Sequence, residues 1–82
     1  MAKQDFIYWG SQVYYVESSR ILINRDLLTI PRDQRGEVTF TYMNTRTGKT
    51  SEKPGFTFQQ ATDLAERRSL DGRYRNFIFI ID

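Results

Sequence analysis

Apolar and polar positions alternate strictly through Glu37–Asn44, EVTFTYMN, with Val38, Phe40 and Tyr42 on one side and Thr39 and Thr41 on the other. A period of two predicts a half-buried strand. TRTGKT then supplies a turn, with Gly48 free to take a positive φ. A return strand through Thr50 and Glu52 is expected to end at Pro54-Gly55. Upstream, Phe6–Trp9 and residues 13–16 are two β-rich runs around Gly10-Ser11, the pattern of a tight hairpin. Ile21 and Ile23 continue the alternation, whereas Leu27, Leu28 and Ile30 break it and fit a strand or a helical turn equally. Pro31 closes that segment, and PRDQRG reads as a polar loop.

The period changes to that of a helix after Thr57. Phe58, Ala61, Leu64 and Ala65 fall on one face, while Gln59, Asp63, Glu66 and Arg67 fall on the other. Thr57 with Gln60 three residues on forms a capping box, and Phe56 can staple against Ala61. Asp63 and Arg67 have the spacing of an ion pair, and Arg67 and Arg68 sit where cations complement the helix dipole. Asp71-Gly72 then turns the chain into RYRNFIFIID, read as one strand. Its second half, Phe77–Ile81, is apolar on both faces, as in a central strand. Its first half is expected to place Arg73 and Arg75 on the face of Phe77 and Phe79. The order is β-β-β-β-β-α-β, an α+β domain over residues 1–82 with a small, mainly antiparallel sheet of five or six strands and one packed helix. One short helix covers one face, so a curled N-terminal hairpin, a second copy of the chain or a partner protein is expected on the other.

Length limits what this pattern can hold. A chain of 82 residues buries only about 60% of its unfolded surface. Chains near this size often add disulfides or a structural metal, but cysteine and histidine are both absent. Disulfides, thiolate chemistry, iron–sulfur clusters and Cys/His zinc sites go with them, and no metal or cofactor is expected. Twelve aromatic residues must supply the core instead. No apolar run approaches the ~20 residues of a membrane helix. The N-terminus has Lys3 but no apolar leader core, which predicts an unprocessed, cytoplasmic protein with no membrane partner.

Net charge is only +2, but nine of the twelve basic residues are arginine. Arginine forks match carboxylate and phosphate and lose less on desolvation than lysine, so the composition tilts towards a contact surface. TGKT lacks the glycine five residues before its Gly-Lys pair, Met43 standing there instead, so a hairpin turn is favoured over a phosphate loop. GRYRNFIFI is similar to the aromatic strand of RNA-recognition motifs but departs from it at Tyr74 and Asn76, where that strand carries small residues. Residues 37–68, under half the chain, resemble in layout the strand–turn–strand–helix of arm-binding domains in phage-type integrases, which place strands on DNA. The resemblance rests on NTRTGKT and the helix after it.

No catalytic constellation is recognisable, so the expectation is a non-enzymatic binding domain with a protein partner, of the accessory or inhibitor type that mobile elements and bacteriophages encode. Trp9, Tyr15, Arg73, Tyr74 and Arg75 are its candidate contact residues, since exposed Tyr, Trp and Arg are enriched in interface hot spots. The alternative is nucleic-acid binding through Arg46, Lys49 and Lys53 of the hairpin with Arg32 and Arg35 of the preceding loop, provided the two loops share an edge. A metal-independent ribonuclease built on Arg73, Tyr74 and Arg75 ranks third. A homodimer across the uncovered sheet face is a separate expectation.

Overall fold

The computed structural model describes residues 5–82; the reading of Lys3 and its neighbours as an unprocessed N-terminus lies outside them. The strands are β1 (Phe6–Trp9), β2 (Gln12–Ser18), β3 (Ile21–Asn24), β4 (Glu37–Asn44), β5 (Thr50–Thr57) and β6 (Phe77–Ile81). The helices are α1 (Arg25–Leu28), a single turn, and α2 (Phe58–Ser69). The six strands form one sheet in the order β1-β2-β3-β6-β4-β5, which makes the protein α+β. Only the pairing of β3 with β6 is parallel.

The last strand occupies the middle of the sheet because, like β3 beside it, it is apolar on both faces and is buried from both sides. Phe79, Ile80 and Ile81 have no solvent exposure. On one side, Phe58, Ala61 and Ala65 of α2 close over Ile21, Ile23, Phe40, Phe79 and Ile81. The alanines let the helix approach closely enough for the phenylalanines to interdigitate. On the other side Tyr14, Leu22 and Ile80 form a second cluster, flanked by Val16 and Ile78. Tyr14 holds it shut. Its hydroxyl donates to Asp82 Oδ1 at 2.7 Å, from β2 past β3 to the end of β6, and Asn24 Nδ2 donates to the same oxygen at 3.0 Å.

The capping box forms as the spacing predicts. Thr57 Oγ1 accepts from Gln60 N at 3.1 Å, and Thr57 N donates to Gln60 Oε1 at 3.0 Å. Thr57→Ala removes one of these bonds and exposes an orphan amide, so a loss of ~1 kcal/mol is expected. Thermal unfolding checks it, with a midpoint about 4–8 °C lower for a domain of this size.

One open reading is resolved and three local expectations are corrected. Leu27 and Leu28 belong to the single turn of α1, started by Asn24, whose Oδ1 accepts from Asp26 N at 2.8 Å. β5 does not stop at Pro54-Gly55 but continues to Thr57. As the outer strand it needs no N–H from Pro54, and a register shift opposite Val38 and Phe40 absorbs Gly55 at φ +89°. Residues 73–76 are not strand: Asp71 Oδ1 accepts from Arg73 N at 3.0 Å and winds Gly72–Tyr74 into a 3-10 turn, so β6 begins only at Phe77. Asp63 accepts from Gln59 Nε2 at 2.9 Å, and no ion pair to Arg67 forms. Arg20, which the sequence pattern did not single out, stitches the β2–β3 turn to this region. Its guanidinium donates to the carbonyl of Tyr74 at 3.1 Å and to that of Ser69. Among the described residues no helix is long and apolar enough to cross a membrane.

Candidate functional site

Strand β1 lies at one edge of the sheet and pairs only with β2, through Phe6↔Tyr15, Ile7↔Tyr14, Tyr8↔Val13 and Trp9↔Gln12. Gly10, at φ +63°, makes the tight turn between them. α2 runs across β3, β6, β4 and β5, so β1 stands two strands outside its shelter. All four β1 side chains are exposed, Tyr8 by 82%.

Strand alternation sends these side chains to both faces. Phe6 and Tyr8 share the α2 side with Tyr15, and Phe6 meets the Tyr15 ring edge-on at 5.6 Å. Ile7 and Trp9 share the opposite side with Tyr14, where Trp9 meets the Tyr14 ring edge-on at 5.7 Å. Burial, then the hydrogen bond to Asp82, push the Tyr14 hydroxyl well above the ordinary tyrosine range. The hydroxyl therefore stays protonated, and keeps donating, to higher pH than an ordinary tyrosine, which fixes the ring under Trp9.

Trp9 and Tyr15 thus belong to one hairpin but point to opposite faces. Arg73, Tyr74 and Arg75 lie at the other end of the sheet, since β6 begins beside Arg20 and finishes beside Tyr14 and Asn24. The five expected contact residues therefore do not form one site. Arg73 grips Asp71 at 2.7 Å while its side chain remains 83% exposed. That side-chain bond, then the backbone bond from Arg73 N, hold the Asp71 carboxyl down to about 2. Tyr74 packs on Phe77 at 5.8 Å with Arg68 over its ring at 5.0 Å.

The two basic loops do not share an edge either. Arg32 and Arg35 precede β4, and Arg46 and Lys49 follow it, an eight-residue strand away. Arg35 stacks on Phe58 at 4.4 Å and Arg32 at 5.7 Å, the latter donating to Gln59 Oε1 at 2.8 Å. They border a groove of about 320 Å³ in which Glu17 and Glu66 offset their charge. Lys53, the fourth residue of β5, lies over Tyr42 at 6.0 Å.

The chain matches no known protein family, no characterised protein and no solved structure. Phe6, Ile7 and Tyr8, exposed beside Trp9, lie outside the contact residues expected from the sequence. The signal was present, an uncharged strand beside a tight turn, but its edge position depends on pairings between distant segments.

Proposed function

We propose that this chain is a non-enzymatic binding domain whose partner is another protein, docked on the β1 edge. The observation that carries the reading is that four consecutive side chains of an edge strand, Phe6, Ile7, Tyr8 and Trp9, are all uncharged and all exposed. Edge strands invite pairing, and proteins usually blunt them with charge or proline. The opposite edge, β5, follows that rule with Glu52, Lys53 and Pro54. β1 has none of these devices. A partner strand added to its free backbone would gain main-chain hydrogen bonds, and side chains on both faces would clamp it. The edge-on ring pairs order Trp9 and Phe6 before binding, which lowers the entropy lost on docking.

The test is affinity capture followed by titration of the captured protein. Tyr8→Ala and Trp9→Ala are each expected to weaken binding by ~2 kcal/mol, roughly 30-fold, while Leu70→Ala, exposed at the C-terminal end of α2, leaves it unchanged. In the complex, the outward-facing β1 amides should exchange hydrogen more slowly. Wild-type affinity in both folded variants, or protection confined to other strands, would overturn the reading.

A further inference from the structure

One end of the sheet gathers cations that the sequence scatters over thirty positions. Asn76 O accepts from Thr45 N at 2.8 Å and from Thr45 Oγ1 at 2.9 Å, which clamps the β4–β5 turn to the segment leading into β6. Their chain neighbours Arg46 and Arg75 are both exposed, so two arginines distant in sequence flank one backbone junction. Behind them runs a ladder in which cations and rings alternate. Lys53 lies over Tyr42 at 6.0 Å, Arg68 over Tyr42 at 6.0 Å and over Tyr74 at 5.0 Å, and Arg73 over Tyr74 at 5.9 Å. With Lys49 on the turn, this end carries Arg46, Lys49, Arg68, Arg73 and Arg75, and Lys53 reaches towards it from β5, where it pairs in register with Phe40.

Only Asp71 forms an ion pair there, with Arg73, among the described residues. Glu52 pairs in register with Thr41, and strand alternation turns it to the face opposite Lys53. These six cations and two carboxylates sum to +4, so the charges elsewhere in the chain sum to −2. A surface kept for solubility intersperses its signs. Concentrating one sign costs self-repulsion, which a bound anion relieves, and such a field draws polyanions in.

We infer that this end of the sheet binds the phosphate backbone of a nucleic acid, independently of the β1 edge. A nucleic-acid strand carries a charge at every nucleotide and can meet cations spread across two joined turns, whereas a protein surface supplies carboxylates only here and there. Arginine forks seat phosphate oxygens. The exposed guanidinium of Arg73 also offers a plane on which an unpaired base can stack. Contacts of this kind are to the backbone, so binding should be indifferent to sequence.

Fluorescence anisotropy with labelled single-stranded RNA, single-stranded DNA and duplex DNA, across a salt series, tests it. Neutralising about four or five phosphates of a single strand gives a log–log salt slope of about −3. Arg46→Ala combined with Arg75→Ala should weaken binding and flatten that slope by about 1.4, two contacts' worth. Arg25→Ala, an exposed arginine at the opposite end of the sheet, should change neither. Tyr8→Ala should not affect it, which keeps this result separate from that at the β1 edge. Tighter binding of the strands or of the duplex tells which form of the backbone is taken, and either supports the inference. No binding at low salt, an unaltered slope in the folded double variant, or displacement of the strand by poly-glutamate at equal charge would overturn it, the last in favour of an acidic protein segment.

Discussion

Phe40→Ala is expected to abolish cooperative folding at 25 °C. Phe40 has no solvent exposure and stands where β4 meets β6 and α2. Its ring stacks on Phe79 at 5.8 Å and contacts Phe56 at 5.7 Å and Tyr42 at 6.3 Å. Truncating a buried phenylalanine costs about 3–5 kcal/mol through lost transfer energy and the cavity left behind. A domain of this size has only about 5 kcal/mol in total. The neighbours cannot collapse into the space, because Phe79 and Ile81 are held by pairing on both sides of β6. Urea unfolding followed by circular dichroism reads the effect, with Leu70→Ala, 88% exposed, as a control expected within about 0.5 kcal/mol of wild type. A Phe40→Ala protein that still unfolds cooperatively, with a loss under about 1 kcal/mol, would mean that the core is not organised around this ring.

Tyr14→Phe is expected to destabilise the chain by about 1.5–3 kcal/mol, the range for a hydrogen bond to a charged acceptor. The ring stays and the cavity is unchanged, so the loss isolates the bond to Asp82. The same bond makes stability pH-dependent at the alkaline end. Burial and the Asp82 carboxylate raise the hydroxyl's pKa in the folded chain above its unfolded value of about 10. Below pH 10 the tyrosine is protonated in both states, and its full contribution is present. Above pH 10 the unfolded chain releases the proton while the folded chain retains it. Stability then falls as pH rises, by up to about 1.4 kcal/mol per pH unit, until the folded hydroxyl itself ionises. Denaturation curves of wild type and Tyr14→Phe at pH 8 to 11 provide the check: the two should converge as pH rises. Parallel curves would show that the hydroxyl does not hold the second cluster.

Which features were legible depended on how local their causes are. The Gly10 hairpin, the alternation of β4 and the Thr57–Gln60 box depend on residues within a few positions of one another, and each forms where its pattern lies. The segment 73–76 reads as strand because Arg73 and Arg75 alternate with Tyr74 and Asn76 just before an apolar run. A single aspartate with a free side chain outcompeted that pattern by capping a turn. Pro54 was misread as a strand end because its missing donor is harmful only inside a sheet, and β5 turned out to be outside.

Fold class, the capping box of α2, the two-faced apolar run of β6 and the absence of Cys and His chemistry were set by the sequence itself, since they follow from residue type and short-range periodicity. Strand order was decided only in three dimensions. β6 enters between β3 and β4 because that is the one place where both its faces and both its edges are covered. Everything proposed about function descends from that choice. It leaves β1 as a bare edge and joins the turns that carry Arg46 and Arg75, and both are contacts between segments that no local pattern couples.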